Sequence, residues 1–228
     1  MFTPVRKFKS LAVALKELEK VFRSGELILR GRPFENFEDG RPRELAGNWL
    51  LAAVLSHLAG TEDFTLTSER DSDGTICHLP SGIGRPTEHI IIPPARIGEI
   101  VSTEQRISDQ VAKKQAKGGP AYARGKMLVI WNMLSTNAAW HPNKAARTLP
   151  PHDFDAVWVV GLQAVQDDHW IHSAALLRPD LQNIPTWIVD INPDFSGWVV
   201  RQVQFAINAT VTFDLDPPDA PMRVGLLL

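Results

Sequence analysis

The stretch RDSDGTICHLPSGIGRPTEHIII, residues 70–92, decides how the rest of the chain is interpreted. It contains an acidic turn, a short apolar run, a loop rich in glycine and proline, and a strand pattern that carries Glu88. Alternate side chains of a strand share a face, so Glu88 is predicted to point the same way as Ile90 and Ile92. A carboxylate among isoleucines must be paired, bound to a metal ion or strained, because an unpaired buried charge is costly.

A second acid, Asp73, opens the preceding predicted strand. Hydrogen-bonded strands lie only about 4.8 Å apart, so two carboxylates converge on one point if the two strands pair. That arrangement suits a divalent cation. Each acid also has a plain structural interpretation, since Asp and Gly are common hairpin-turn residues. For Glu88 that interpretation is a buried ion pair with Arg85 or Lys114.

Composition restricts the class of protein. The 228 residues are enough for one sizeable core, and 44% hydrophobic with 22% charged residues is ordinary for a globular domain. A net charge of −2 gives no broad attraction for nucleic acid or anionic membrane, so any DNA surface must be a local patch. The single cysteine, Cys77, excludes an internal disulfide. With no apolar run of membrane length and no signal-peptide pattern, we expect no membrane association and a cytoplasmic location.

Periodicity predicts a mixed α/β chain. Apolar residues at helical spacing, or runs apolar on all sides, predict helices at 10–23, 44–59, 97–117 and 143–149. Alternating or continuous apolar runs predict strands at 26–30, 64–69, 75–79, 88–92, 127–133, 155–162, 170–177, 187–191 and 198–205. The run at 127–133 is predicted to be a buried parallel strand, and the last three strands an antiparallel extension of the sheet.

The order helix, three strands, helix, strand over residues 44–133 resembles the core of the PD-(D/E)xK nuclease superfamily, the restriction-endonuclease-like fold. The likeness includes an acid on the first helix (Glu44), one at the start of the second strand (Asp73) and one on the third (Glu88). The resemblance implies that Asp73 and Glu88 bind Mg²⁺ or Mn²⁺, that the backbone carbonyl of His89 is a further ligand, and that DNA is the substrate. It divides the chain into an N-terminal helix with an arginine-rich loop (1–43), a nuclease-like core (44–162) and antiparallel strands packed on that core (163–228), in one domain.

The clearest departure from the family pattern is Ile90, which stands where such nucleases carry a lysine. Some family members supply that lysine from a neighbouring helix, and Lys114, on the apolar stripe of the helix predicted at 97–117, is the candidate here. A lysine at the edge of a helix face is the alternative role for this residue. Glu44 is assigned as an auxiliary acid, with favourable charge at a helix N-terminus as its alternative. The residues expected to contact phosphates are Lys113, Gln115, Lys117, Arg41 and Arg43.

Three interpretations of the function remain open. The chain is either an active nuclease or a catalytically silent protein of the same fold that works as an interaction module, as a homodimer or in a larger assembly. A third possibility is an unrelated α/β protein whose acids are structural. A zinc site at Cys77, His78 and His89 is disfavoured, because their spacing fits no zinc motif and Cys77 faces away from His78.

Overall fold

The computed structural model describes residues 9–30, 40–69, 72–93, 100–133 and 140–204. Its helices are α1 (Leu11–Arg23), α2 (Gly25–Arg30), α3 (Pro42–Ala59), α4 (Thr103–Ala123) and α5 (Pro142–Arg147). Its strands are β1 (Phe64–Glu69), β2 (Ser72–His78), β3 (Ile83–Ile92), β4 (Met127–Asn132), β5 (Ala156–Gln166), β6 (His169–Leu177), β7 (Thr186–Ile191) and β8 (Trp198–Val203). The mixed α/β class predicted from the sequence is confirmed.

The eight strands form one mixed sheet in the order of the sequence, β1 to β8. The first three strands form an antiparallel meander, β4 lies parallel to both β3 and β5, and β5 to β8 are antiparallel. The buried parallel strand at 127–133 and the antiparallel C-terminal strands are therefore confirmed. Continuous apolar sequence marks β4 because both of its faces are covered.

The sheet separates two hydrophobic cores. On one face, α1 and α3 pack against a layer that includes Ile76, Trp131 and Trp158. On the other face, α4 and α5 cover a layer that includes Ile92 and Leu128. The first core is held together in part by the indole of Trp49 on α3, which donates a hydrogen bond to the carbonyl of Leu11 on α1 (2.8 Å).

Two local predictions are wrong. Residues 26–30 form helix α2 and not a strand: Ser24 alone separates them from α1, and the amide of Leu27 donates to the Ser24 carbonyl (3.0 Å). Glu, Leu and Arg favour the helix there, and the apolar Ile28 is buried against the core. The helical pattern over 97–117 places Ile100 on the apolar stripe, but α4 begins at Thr103 after the Ser102 cap, and Ile100 is 97% exposed.

Helix α4 also ends later than expected. The sequence Gly118-Gly119-Pro120 predicts its end, yet the helix runs to Ala123 with a kink at Gly119, whose φ is +70° and ψ −176°. Pro120 can start the last helical turn because a first-turn residue needs no backbone N–H donor. Strand β3 begins at Ile83, inside the predicted glycine- and proline-rich loop, and not at residue 88. The other predicted helices and strands are confirmed within a few residues. The arginine-rich loop was predicted over residues 31–43, but Pro42 and Arg43 belong to the first turn of α3. Residues 31–39 of that loop, the start of the helix at 97–99, Asp71 and everything from residue 205 onward lie outside the described residues.

Within the described ranges, no helix has the length and apolar character needed to cross a membrane.

Candidate functional site

The backbone pairing between β2 and β3 ends before it reaches Asp73 and Glu88, the acids singled out above. We call this gap in the sheet the opening between β2 and β3. The two strands pair from Thr75 opposite Pro86 to His78 opposite Ile83, and from Thr87 onward β3 pairs with β4 on its other side. Side chains bridge the opening. The hydroxyl of Thr87 donates to the carbonyl of Gly74 (3.1 Å), and the backbone amide of His89 donates to Oδ2 of Asp73 (2.7 Å). Asp73 thus takes the place of a missing β2 carbonyl.

This contact sets the position of Asp73 relative to its partners. Its Oδ2 lies within about 5.5 Å of the Cα of Glu88, because only the peptide group joins that Cα to the His89 nitrogen. The N–H and C=O of one strand residue point to the same side, so the carbonyl of His89 faces the same opening. Gly74 is needed here: its φ is +131°, and an added Cβ would lie 2.3 Å from Nδ2 of Asn48.

Glu44 approaches the opening from α3. Its Oε2 accepts a hydrogen bond from the amide of Arg41 (3.3 Å), while the guanidinium groups of Arg41 and Arg43 lie 3.5 and 3.8 Å from Oε1. Oε1 is buried and has no hydrogen-bond partner. Burial first, and the negative charge of Asp73 second, raise the pKa of Glu44 to about 7, against the opposing effect of the arginines. Glu44 therefore changes charge near neutral pH.

His89 is buried on the α3 side of β3. Its Nε2 is 3.1 Å from Oδ1 of Asn48, whose Nδ2 is 3.5 Å from the backbone carbonyl of Asp73. An added Cβ on Gly47 would lie 2.8 Å from the imidazole, so glycine gives the ring its space. Burial lowers the pKa of His89 to about 3, with smaller effects from Arg43 and Lys114 in the same direction. The ring is therefore neutral, with Nε2 carrying the proton that Asn48 accepts.

Glu88 points to the opposite face, towards α4, and its carboxylate is saturated with partners. Lys126 Nζ lies 2.7 Å from Oε1 and Lys114 Nζ 3.0 Å from Oε2, and the hydroxyl of Tyr122 donates to Oε2. The ammonium of Lys126 is also 4.2 Å from the centre of the Tyr122 ring. Only 6% of the Glu88 side chain and 18% of each lysine side chain is exposed. We call Glu88, Lys114, Lys126 and Tyr122 the Glu88 cluster.

The charges of the Glu88 cluster stabilise one another. Burial would raise the pKa of Glu88, but the hydrogen bonds from Lys126, Tyr122 and Lys114 outweigh it and hold that pKa below its usual range. Burial likewise would lower the pKa of Lys114, yet its contacts with Glu88 and Tyr122 raise it. The pKa of Tyr122 is raised, mainly by burial. At neutral pH Glu88 is therefore a carboxylate and Lys114 an ammonium group.

The structure brings some of the predicted site residues together and leaves others apart. The structure brings Glu88 and Lys114 into direct contact, which is the ion pair considered above as the structural alternative, and it sets Asp73 at the peptide that follows Glu88. The side chains of Lys113 and Lys117 are exposed on α4. Gln115 is engaged with Asp153 through two hydrogen bonds, of 2.7 and 3.2 Å.

Sequence reasoning missed Lys126, Tyr122 and Asn48. Lys126 directly precedes β4, which lies parallel to β3 with Met127 opposite Thr87. The position of Lys126 just before the predicted parallel strand is a signal that could have found it. Tyr122, the single tyrosine of the chain, lies beyond the predicted end of its helix.

Among the residues that the structure describes, no group of three or more His, Cys, Asp or Glu side chains is arranged to hold a metal ion.

Comparison with known proteins gives no assignment: no family model, no curated protein and no solved structure matches this chain.

Proposed function

We propose that this chain is a Mg²⁺-dependent nuclease that hydrolyses DNA phosphodiester bonds at the opening between β2 and β3. In this proposal Asp73 and Glu88 are the metal ligands, together with the carbonyl of His89. Glu44 is the auxiliary acid, and Lys114 positions the attacking water. The mixed sheet with its helix, three-stranded meander, helix and parallel strand is compatible with the restriction-endonuclease-like arrangement that this role requires.

One observation carries the proposal: acids from two strands and an amine from the next helix meet around a single peptide. Asp73 contacts the amide of His89 at 2.7 Å, and Glu88, the preceding residue, contacts Lys114 at 3.0 Å. An ammonium in that position can stabilise a hydroxide and the extra negative charge that develops on a phosphate in the transition state. This answers the departure at Ile90, because Lys114 supplies from α4 what the strand itself lacks.

The donor set suits a hard cation. Mg²⁺ prefers carboxylate and carbonyl oxygens and keeps several waters, so a few protein ligands are enough. Asp73 uses Oδ2 for the His89 amide, which leaves Oδ1 for another partner, and Oε1 of Glu44 is buried without a hydrogen bond. Bound there, the ion would neutralise phosphate charge and lower the pKa of a coordinated water. Because the pKa of Glu44 is about 7, ionised Glu44 favours cation binding above neutral pH.

The surroundings offer contacts for the DNA backbone. Lys113 and Lys117 are exposed on the same helix as Lys114, and Arg41 and Arg43 flank Glu44 at the start of α3. Cationic side chains of this kind bind DNA phosphates without reading the base sequence. Because the whole chain carries a net charge of −2, its DNA-binding surface must be a local patch such as this one. The hydrogen bonds of Gln115 to Asp153 make it the weakest member of the predicted phosphate-binding group.

A second function, a silent interaction module of the same fold, is favoured by the saturation of Glu88. Two lysines and a tyrosine occupy both of its oxygens, and the two ammonium groups together carry the charge of one divalent cation. In such a protein the Glu88 cluster is a permanent structural replacement for a metal. DNA contact at the surface, or assembly with another protein, would then be the function in place of cleavage.

Incubation of the purified chain with supercoiled and linear DNA, in Mg²⁺, Mn²⁺ or EDTA, separates the two functions. The nuclease requires nicking or linearisation that EDTA abolishes. Asp73→Asn should lower the rate about 100-fold or more, because it removes one charged ligand. Asp180→Asn is the matched control: Asp180 is exposed, pairs with Arg178 and is not part of the proposed site.

A second pair of variants tests the amine. Lys114→Met should lower the rate about 100-fold or more if this lysine positions the attacking water. Lys144→Met, an exposed lysine on α5, should leave it unchanged. Equal residual cleavage in Asp73→Asn, Lys114→Met and both controls would identify a contaminating nuclease. Absence of cleavage with either cation, with DNA binding unaffected by EDTA, would favour the silent module.

A further inference from the structure

A cavity of about 450 Å³ lies on the α3 side of the sheet, near the turn of the β2–β3 hairpin. Most of its lining is apolar and comes from one helix and several strands, including Leu55, Ile76, Met127, Trp158 and Leu176. Its volume falls within the range of small-molecule sites, which combine an apolar lining with a few placed polar groups. The cavity is separate from the Glu88 cluster, which occupies the α4 side.

Two opposite charges belong to this lining. Arg85 on β3 and Asp155, which directly precedes β5, both line the cavity, and Nη1 of Arg85 lies 3.4 Å from Oδ2 of Asp155. We call these two residues the Arg85–Asp155 pair. Their side chains are 61% and 39% exposed, and an ion pair as exposed as this one is weak. Both charged groups can therefore take a further partner without the loss of a strong contact.

The Arg85–Asp155 pair is held in place and keeps free bonding capacity. Oδ1 of Asp155 accepts a hydrogen bond from the backbone amide of Gly125 (3.0 Å), which fixes the carboxylate at the start of β5. A guanidinium has five N–H donors, and the contact with Asp155 involves one of its nitrogens. Arg85 can therefore bind a second carboxylate while it stays beside Asp155.

The charges of this pair select the type of ligand. A ligand with a single charge is attracted by one member and repelled by the other, so the two effects largely cancel. A zwitterion with its carboxylate beside Arg85 and its ammonium beside Asp155 makes two attractive contacts. In an α-amino acid two bonds separate the ammonium nitrogen from the carboxylate carbon, so its charges are about as close together as the paired side-chain atoms.

The rest of the lining suits a large apolar side chain. His78 and Ser81, the remaining polar residues of the lining, contact each other, with Nδ1 of His78 2.9 Å from the Ser81 hydroxyl oxygen. The other lining residues include the aromatic rings of Phe64 and Trp158 and the thioether of Met127. Aromatic and thioether groups pack well against an aromatic ring, so the lining favours an aromatic side chain.

We propose that this cavity binds a free α-amino acid with a large apolar side chain, such as phenylalanine. The side chain occupies the cavity, and the ammonium and carboxylate groups contact the Arg85–Asp155 pair. The proposal is independent of the nuclease function, since none of the lining residues belongs to the proposed catalytic site. It assigns affinity to the apolar lining and selection to the charge pair.

Four compounds separate these contributions. L-Phenylalanine is the probe; 3-phenylpropionate lacks its ammonium, 2-phenylethylamine lacks its carboxylate, and L-alanine lacks its phenyl ring. We expect calorimetry on the full chain to show saturable binding of L-phenylalanine, at least tenfold tighter than any of the other three. Loss of either charged group removes one attractive contact and leaves a repulsive one, and loss of the ring removes the apolar contact.

Three variants test the position of the ligand. Arg85→Met should abolish the preference for L-phenylalanine over 2-phenylethylamine, and Asp155→Asn should abolish the preference over 3-phenylpropionate. Ala156→Leu leaves the pair in place but fills part of the cavity, so it should weaken L-phenylalanine about tenfold or more. Arg178→Met is the matched control, because Arg178 forms an equally exposed ion pair with Asp180 outside the cavity lining, and it should change none of the affinities.

Three results would overturn the proposal. The first is binding of L-phenylalanine that does not saturate. The second is affinity for L-phenylalanine no higher than for the two compounds with a single charge. The third is an unchanged preference in Arg85→Met and Asp155→Asn, measured on variants whose circular dichroism matches that of the natural chain.

Discussion

Replacement of Glu88 by glutamine removes the only negative charge that faces Lys114 and Lys126 within the Glu88 cluster. Both lysine side chains are 18% exposed, so water cannot fully replace the lost partner. Breaking a buried ion pair by removing one partner typically costs about 3–5 kcal/mol. Glutamine keeps the shape and one acceptor oxygen, and the lysines retain some solvent, so we expect Glu88→Gln to lower the free energy of unfolding by about 2–4 kcal/mol at pH 7.

The pH dependence gives the same variant a second signature. The pKa of Glu88 is lowered in the folded state, because the hydrogen bonds from Lys126, Tyr122 and Lys114 overcome the effect of burial. An acid of this kind stabilises the fold fully above its unfolded pKa, about 4.3, and loses that stabilisation as the pH falls through the lower folded pKa. The stability difference between the natural chain and Glu88→Gln should therefore be constant above about pH 6 and shrink below about pH 4.

Urea unfolding followed by circular dichroism, from pH 3 to 8, measures both effects. Glu19→Gln is the matched control: Glu19 also contacts two cations, Lys16 at 2.8 Å and Arg23 at 2.9 Å, but on the exposed face of α1. Its effect should be much smaller and should weaken with added salt. Adding Lys126→Met to Glu88→Gln should recover part of the lost stability. A Glu88→Gln variant as stable as the natural chain, or a double variant that loses the two effects additively, would refute the argument.

Three further predictions follow from single residues. Glu44→Gln should stabilise the chain by about 2 kcal/mol at pH 9 and not at pH 4. Burial, and then the charge of Asp73, raise the pKa of Glu44 to about 7, so the contribution of Glu44 to stability is lost as the pH rises through that value. Urea unfolding at both pH values measures the difference. Gly119→Ala should lower the free energy of unfolding by about 1–3 kcal/mol, because φ is +70° although nothing lies within 4 Å of the added Cβ; Gly25→Ala, equally open but without a positive φ, should not. Burial lowers the pKa of His172 in the folded chain to about 4, so the fold loses stability as the pH falls below the pKa of a histidine in the unfolded chain. His172→Phe should reduce this loss by about 1.4 kcal/mol per pH unit between pH 6 and 4. The slope of the unfolding free energy against pH measures the effect.

The sequence predicts the parts of the fold that follow from hydrophobic periodicity. The all-round apolar run of α3 and the continuous apolar run of β4 leave little choice, because each is covered on all sides. The start of β3 is different. Gly84 and Pro86 are typical of a loop, yet both lie in a strand that begins at Ile83. Pro86 occurs where pairing with β2 ends, so its missing N–H costs little there, and only the tertiary pairing reveals this.

The same limit applies to the site. Alternation along β3 predicted that Glu88 needs a buried partner, with Arg85 and Lys114 as the candidates, and the resemblance to the nuclease family singled out Lys114 on the apolar stripe of α4. The second lysine and the tyrosine could not be placed, because the kink at Gly119 decides where Tyr122 falls, and local sequence predicted a helix end there. The contact of Asp73 with the His89 amide depends on two strands moving apart, which leaves no pattern in either strand alone.

The balance of charge suggests how a cation would reach this site in the proposed nuclease. Fully ionised, its three carboxylates carry −3, while the two lysines and two arginines beside them carry +4, and protonation of Glu44 below pH 7 makes the excess larger. A site with net positive charge attracts a phosphate more strongly than a free divalent ion. Mg²⁺ should therefore bind weakly to the free chain and much more tightly with DNA present, because the phosphate adds both negative charge and oxygen ligands. Calorimetric titration of Mg²⁺ without DNA and with an uncleavable phosphorothioate duplex compares the two cases directly. Equal affinity in both would show that the carboxylates hold the cation on their own, and would contradict this account of the charge balance.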